Sequence, residues 1–267
     1  MATNRLIATV DGLAGEVFAA ADHTRRRRLP AFPTARNEIT RREYGHSLRS
    51  CFNRAEVREI IREVRKAEPR LNQEPIRYGS MSELCERASS MSACLGADFR
   101  IAKLSWPSGL ALWGFYLSRG PGLKKRPLIC VNAAHHRTAA AMAFGHEVGH
   151  HVTARLFGMG AHPPLPSLYT GFESHLDDPL ELAADITVSL AMYPRNTALK
   201  FFREIERETK QTAGHRLGSA TRAAADDFWR QTGLDRARLS TEQKVQYQAG
   251  SIHFTRLRQA LLDQYGI

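Results

Sequence analysis

Cysteine is scarce in this chain of 267 residues, and the four that occur lie far apart. Cys51, Cys85, Cys94 and Cys130 form no C-x-x-C pair and no dense framework. The spacing therefore argues against a disulfide-stapled module and against a cysteine zinc site. We expect reduced thiols, most of them buried.

Long apolar runs are also missing. The apolar stretches are too short, or too often broken by charge, for a membrane-spanning helix of about 20 residues. The segment from Leu6 to Ala21 contains Asp11 and Glu16 and lacks the basic start of a secretion signal. These absences predict a cytoplasmic protein without a membrane partner.

Acidic residues are fewer than basic ones, 27 Asp and Glu against 38 Lys and Arg, which gives a net charge of +11. The excess is concentrated in runs at Arg25–Arg28, Arg41–Arg42 and Lys124–Arg126. Such basic patches favour weak nucleic-acid contact or an acidic partner, and the alternative is a solvated basic surface. No zinc-finger spacing, RNA-binding signature or heptad zipper accompanies the charge.

Hydrophobic residues make up 43% of the chain, enough for a sizeable core. Periodicity predicts helices at Ala55–Lys66, 80–95, Lys200–Lys210, Ala220–Thr232 and His253–Gln264, and strands at Phe99–Leu104, Leu110–Leu117 and Pro127–Val131. Four large apolar residues near the end are expected to pack in the core: Phe228, Trp229, Phe254 and Leu257. We expect an α+β protein with a mainly helical basic region at 1–78, a central domain at 79–195 and a helical region at 196–267.

The run His146-Glu147-Val148-Gly149-His150 has the spacing H-E-x-x-H, inside an apolar segment that predicts a buried helix ended by Gly158. Positions i and i+4 share one helix face about 6 Å apart along the axis. Two imidazoles at that spacing can bind one Zn²⁺, and Glu147 beside them can deprotonate a metal-bound water.

A catalytic zinc needs a third protein ligand and an open position for water. Asp178 and Pro179 predict the start of a second helix that runs to about Met192, before Pro194. Glu181 and Asp185 share one face of it, so Glu181 is the expected ligand and Asp185 the expected hydrogen-bond partner of a ligand histidine. Asp178 and Glu181 also fit a capping box. Other candidate ligands in the preceding loop are His162, Glu173, His175 and Asp177.

Three segments together resemble the ImmA/IrrE-type zinc metallopeptidases: Pro127–Asn132, Ala143–His150 and Glu181–Asp185, the last followed by Met192-Tyr193-Pro194. The resemblance covers roughly residues 80–195. Ala183, Asp185 and Thr187 stand where that family usually has Glu, Asn and Phe. The resemblance implies a zincin-like metallopeptidase core, a small β-sheet plus an active-site helix, with additional helices at both ends.

The leading hypothesis is a cytoplasmic zinc-dependent endopeptidase with one Zn²⁺ per chain. Glu147 would take the proton of the attacking water and pass it to the leaving amine. The resemblance further implies a protein substrate such as a DNA-binding helix-turn-helix repressor, and a role in stress responses or on mobile elements. The alternatives are a non-catalytic regulator that keeps the zinc fold, which the intact Glu147 argues against, and a basic DNA-associated binding protein.

Substrate binding is expected at a strand within Leu110–Leu117 or Pro127–Val131, which would pair with an extended peptide. Four residues are open candidates for stabilising the oxyanion: His162, Tyr169, His175 and Tyr193. The flanking regions 1–78 and 196–267 are expected to supply recognition or gating.

Overall fold

A computed structural model describes residues 41–76, 78–103, 112–118, 126–135, 137–158, 166–168, 174–176, 178–199, 203 and 241–267. The helices are α1 (Arg41–Cys51), α2 (Arg54–Ala67), α3 (Met81–Leu95), α4 (Arg137–Phe157), α5 (Pro179–Met192) and α6 (Thr241–Tyr265). The strands are β1 (Asp98–Ala102), β2 (Leu112–Leu117), β3 (Leu128–Asn132) and β4 (Pro166–Leu168), and a short 3₁₀ helix spans Ser174–Leu176. The α+β class is therefore confirmed.

Helix α2 forms where apolar residues recur at helical spacing. Asn53 caps its N-terminus by accepting hydrogen bonds from the backbone N–H groups of Ala55 and Glu56, and the Glu56 side chain accepts one from Asn53 N–H. Its predicted apolar face, Val57 to Val64, is buried against α3 and α4. This packing places α2 behind the helix that carries the H-E-x-x-H motif.

Within the described residues the sheet is mixed, with four strands in the order β1-β3-β2-β4. Strand β3 pairs parallel to β1 and antiparallel to β2, and β4 pairs antiparallel to the other side of β2. All five residues of β3 are buried, because the strand lies inside the sheet and under α4. The three predicted strands are confirmed with ends shifted by one to two residues where the chain is described.

The sheet order corrects the expected substrate strand. Both candidate strands, β2 and β3, have a neighbour on each side, so their backbone groups already pair within the sheet. A peptide adds to a sheet only at an edge, where N–H and C=O groups are unpaired. Among the described strands, the edges are β1 and β4.

Helices α4 and α5 pack against each other at very short distance. A Cβ atom built on Gly149 would lie 2.4 Å from Ala184 Cα and 2.7 Å from Ala184 O. Since Cβ atoms essentially never come that close to backbone, only glycine fits at this crossing. The crossing brings the motif face of α4 onto the face of α5 that carries Glu181 and Asp185.

Helix α6 closes the other side of α5 and also packs on α1. It begins at Thr241, twelve residues before the predicted start, and Phe254 and Leu257 are buried as predicted. One hydrophobic core contains residues of all three expected regions, including Leu48, Ile186 and Leu257. The predicted helix Ala220–Thr232, with Phe228 and Trp229, lies outside the described residues. So does the predicted helix Lys200–Lys210, apart from Arg203, which is helical.

All four cysteines are free, as expected, but the expectation that most are buried is wrong. Cys130 in β3 is buried, Cys51 and Cys85 are partly exposed, and Cys94 is exposed. Cys85 and Cys94 are not buried because they lie off the buried face of α3, which is formed by Leu84, Ala88 and Met91. Within the part of the chain that the structure describes, no helix is both long and apolar enough to cross a membrane.

Candidate metal centre

Helix α4 presents its motif histidines on one face. The rings of His146 and His150 lie with centroids 4.6 Å apart and perpendicular, and their Nε2 atoms are 3.0 Å from each other. The one-turn separation of these positions produces this convergence. The two nitrogens therefore point at a common place rather than at separate partners.

Helix α5 brings a carboxylate to the same place. Asp178 caps it by accepting a hydrogen bond from Leu180 N–H, and Pro179 occupies its first turn. Glu181 Oε2 lies 3.1 Å from His146 Nε2, and Glu181 Oε1 lies 3.7 Å from His150 Nε2. Ligand atoms of His146, His150 and Glu181 thus all lie within 4.8 Å of one another.

The capping-box alternative for Glu181 is not what the structure shows. Asp178 N–H donates a hydrogen bond to the carbonyl of His175, and the Glu181 carboxylate contacts the two histidines instead. Glu181, near the start of α5, is thereby directed across the interface with α4.

Asp185 lies one turn after Glu181 and is fully buried. Its Oδ1 is 2.8 Å from His146 Nδ1. A carboxylate only accepts hydrogen bonds, so Nδ1 of His146 carries a proton and Nε2 is the nitrogen that faces Glu181 and His150. A metal-ligating histidine is held in this way by its far nitrogen.

The charges of the cluster fit a bound cation. Burial alone would lower the pKa of His146, but the hydrogen bonds that its ring donates to Asp185 and Glu181 outweigh it and raise that pKa well above the ordinary value. Burial opposes ionisation of Glu181 as well, yet His146 lowers the pKa of Glu181 to about 2. Two carboxylates thus stabilise a positive charge on the His146 ring, Asp185 at Nδ1 and Glu181 at Nε2. A divalent metal bound at Nε2 would supply positive charge beside Glu181.

His150 behaves differently from His146. Burial, with the charge of His146, lowers the pKa of His150 to about 4, so its imidazole is neutral near pH 7. The side chains of His150 and Glu181 remain 16% and 18% exposed, against 8% for His146. The cluster therefore opens to solvent on the side of His150 and Glu181, where a metal would keep a position for water.

Glu147 is fully buried between α4 and the sheet. A Cβ atom on Gly114 of β2 would lie 3.3 Å from Glu147 Oε1 and 2.8 Å from Cys130 O, so the missing side chain makes room for the carboxylate. The charge of Glu147 adds to burial in raising the pKa of the Cys130 thiol to about 12. The motif glutamate thus lies against the central strands β2 and β3.

Asp185 binds two further histidines that sequence reasoning did not group with it. Its Oδ2 is 2.7 Å from His175 Nδ1 and 2.8 Å from His253 Nε2. The Tyr44 hydroxyl lies 2.7 Å from the other ring nitrogen of His253. Burial lowers the pKa of His253, so the ring is neutral, with Nε2–H donating to Asp185 and Nδ1 accepting from Tyr44.

The missed residues come from distant parts of the chain. His253 is 68 positions from Asp185, and Tyr44 is 209 positions from His253. One signal in the sequence could have indicated His253: it lies within the apolar pattern of the last predicted helix. A buried imidazole there needs hydrogen-bond partners.

The other candidate ligands and oxyanion-stabilising residues differ in their positions. His175 lies at the cluster, with Nε2 3.8 Å from Glu181 Oε2. Tyr193 lies elsewhere, buried in the core, where Thr255 donates a hydrogen bond to its hydroxyl. His162, Tyr169, Glu173 and Asp177 fall outside the described residues.

The basic runs are described only in part. Arg25–Arg28, Lys124 and Lys125 lie outside the described residues. Arg126 donates hydrogen bonds to the carbonyls of Ala93 and Gly96 at the end of α3, and its guanidinium is 3.8 Å from the Asp98 carboxylate. This arginine therefore holds the α3–β1 connection, and nucleic-acid contact stays a prediction.

Fold and cluster together define an α+β protein whose two packed helices carry a His-His-Glu group able to hold a metal ion. Comparison of the chain with protein-family models, with curated proteins and with solved structures gives no match.

Proposed function

We propose that this protein is a zinc-dependent endopeptidase with a zincin-like core of the ImmA/IrrE type. The observation that carries the proposal is the convergence of His146, His150 and Glu181 within 4.8 Å, with the far nitrogen of His146 held by Asp185. Two imidazole nitrogens and one carboxylate oxygen, with a side open to solvent, form the donor set of catalytic zinc. Glu147 beside them supplies the base that a structural metal site does not need.

Zinc at this site would polarise the scissile carbonyl and acidify a water molecule. Glu147 would take the proton of the attacking water and deliver it to the leaving amine. Its burial beside Gly114 keeps competing water away from the carboxylate. His175 Nε2 lies on the Glu181 side of the cluster, and His175 Nδ1 is held by Asp185. Of the two described candidates for stabilising the oxyanion, His175 is the one at the cluster.

The substrate peptide is proposed to add to the sheet at β4. This strand pairs directly with β2, which carries Gly114 next to Glu147. The other described edge, β1, is separated from β2 by β3. A peptide paired with β4 would run extended past the metal helix, the conformation in which its backbone groups are accessible.

The proposed substrate is a cytoplasmic DNA-binding repressor, cut in an exposed segment. This part rests on the resemblance to the ImmA/IrrE-type peptidases and on the net charge of +11, which would favour residence near DNA.

The activity is tested with purified protein and two variants. The parent should contain about one zinc per chain, and His150→Ala should lose it while retaining its helical circular dichroism. Glu147→Gln should keep zinc and fold but lose peptide hydrolysis by at least about a hundredfold, because the amide keeps the shape and removes the base. Glu86→Gln, an exposed carboxylate of α3, is the matched control and should be fully active.

Each outcome bears on a separate part of the proposal. Zinc retained by a folded His150→Ala would overturn the ligand assignment. Equal hydrolysis by Glu147→Gln and the parent would overturn the base. Zinc without hydrolysis in either protein would favour the non-catalytic regulator.

Substrate choice is tested by co-expressing the parent or Glu147→Gln with each helix-turn-helix regulator encoded nearby. Mass spectrometry should find one or a few fragments of a regulator with the parent and none with Glu147→Gln. Hydrolysis of unstructured peptides with every regulator intact would overturn the repressor and leave the peptidase.

A further inference from the structure

The Asp185 carboxylate accepts hydrogen bonds from three histidines, which come from three different parts of the chain. His146 on α4 meets Oδ1, while His175 from the 3₁₀ helix and His253 from α6 both meet Oδ2. Asp185 has no solvent exposure, and His253 is only 2% exposed. Both groups are therefore shielded from bulk solvent, so the hydrogen bonds from these histidines orient the carboxylate.

His253 is itself fixed from a further helix. Tyr44 on α1 donates to His253 Nδ1, which leaves Nε2–H of the same ring to donate to Asp185. The resulting path of hydrogen bonds runs from Tyr44 through His253 and Asp185 to His146, with lengths of 2.7, 2.8 and 2.8 Å. Helices α1 and α6 are thereby linked to Nδ1, the far nitrogen of the ligand His146, without contacting the metal position.

His175, Asp185 and His253 also offer a second set of ligand atoms close together. Hydrogen bonding accounts for their arrangement, because both ring nitrogens lie within 2.8 Å of one carboxylate oxygen that can only accept. A cation there would require both nitrogens to give up the protons that now hold Asp185.

We propose that His253 is a positioning residue of the metal centre, so that the site is complete only when α6 is docked on α5 and α1 on α6. The proposal rests on the metal assignment made under the proposed function. By satisfying Oδ2, His253 keeps Oδ1 aimed at His146, and this bond orients the ligand ring. Loss of such outer hydrogen-bond partners lowers metal affinity by about 10–100-fold. The terminal regions thus contribute to metal binding, in addition to any recognition or gating.

The test compares zinc affinities of the metal-free full chain by competition with a chromophoric chelator. His253→Leu, which fills the space without an N–H donor, should raise the zinc Kd about 10–100-fold. His253→Gln should recover most of the loss, because its amide N–H can occupy the place of Nε2–H. Tyr44→Phe should raise Kd by a smaller factor, since only the restraint on His253 is removed.

Leu257→Ala is the matched control, one turn further along α6 and fully buried. It should lower the unfolding temperature of the metal-free protein, because a buried leucine is lost, while leaving the zinc Kd within about twofold. Circular dichroism of every variant confirms that the comparison is made on folded protein.

The outcomes separate this inference from the proposed function. A parent that binds no zinc would overturn both. A parent that binds zinc, with a His253→Leu Kd no higher than that of Leu257→Ala, would overturn the positioning role alone. Two zinc ions in the parent, one of them absent from His253→Leu, would also overturn it and assign His253 as a ligand. Zinc binding without peptidase activity, with the expected order of Kd values, would leave the inference standing.

Discussion

Gly149 on α4 and Ala184 on α5 are so close that a Cβ atom on the glycine would lie 2.4 Å from the alanine Cα. Both residues lie inside the metal-site motifs, between the histidines and between Glu181 and Asp185. The distance between the helices, and hence the distance between imidazole and carboxylate ligands, is set at this one crossing. The middle of each motif is therefore as constrained as its ligand positions.

Gly149→Ala is expected to push α4 and α5 apart. The change should destabilise the protein by roughly 1–3 kcal/mol, the usual cost of overpacking, and weaken zinc binding. Gly145→Ala is the control on the same helix, because its Cβ would meet Val188 Cγ2 at 3.4 Å, an ordinary contact. That control should be neutral or stabilising by up to about 1 kcal/mol, as alanine favours helix. Equal urea-unfolding free energies for the two variants would contradict the close crossing.

Zinc binding should release about one proton per chain near pH 7. Against the effect of burial, Asp185 and Glu181 hold the pKa of His146 well above its ordinary value, so this ring is charged before metal binds. A ligand nitrogen must be deprotonated, while His150, with a pKa of about 4, has no proton to release. Zinc affinity should accordingly rise about tenfold per pH unit until the pKa of His146 is passed.

Calorimetric titration in buffers of different ionisation enthalpy measures that proton directly. Asp185→Asn should reduce the release, since the amide no longer stabilises a charged His146. Release of two protons by the parent would show that His150 is also charged, contrary to its burial beside His146.

Arg258→Met should cost at least about 3 kcal/mol of unfolding free energy. The guanidinium is fully buried and donates to the carbonyls of Tyr193 and Ile267 and to Asn72 Oδ1, three acceptors that methionine cannot satisfy. Arg62→Ala is the control, because that side chain is 65% exposed and its pair with Glu59 should contribute less than about 1 kcal/mol. Urea unfolding of both variants checks the difference; similar losses would contradict the role of Arg258.

Thiol alkylation of the native protein should modify Cys94 early and Cys130 last. Cys94 is exposed, whereas burial and the charge of Glu147 raise the pKa of Cys130 to about 12, so little thiolate forms. Mass spectrometry of timed samples gives the order, and in denaturant the two rates should become similar. Early reaction of Cys130 in the native state would show that β3 is less protected than its burial indicates.

Local pattern determined much of this protein from the sequence alone. The spacing of apolar residues predicted α2 and its buried face, and the Asp178–Pro179 start signal and Pro194 gave the bounds of α5. The i, i+4 spacings put two histidines on one helix face and two carboxylates on another. These features depend on residues within one or two turns of each other, which is why sequence reveals them.

Tertiary structure decided what no local pattern encodes. The order β1-β3-β2-β4 placed the expected substrate strands inside the sheet, because strand order depends on long-range pairing. The sequence around Glu181 fits both a capping box and a metal ligand. Only the approach of α4 directs the Glu181 carboxylate onto His146. His253 meets Asp185 because α6 packs on α5, and Tyr44 meets His253 because α1 packs on α6. Spacing along a helix fixes which side chains share a face, whereas the packing of distant helices fixes what that face meets.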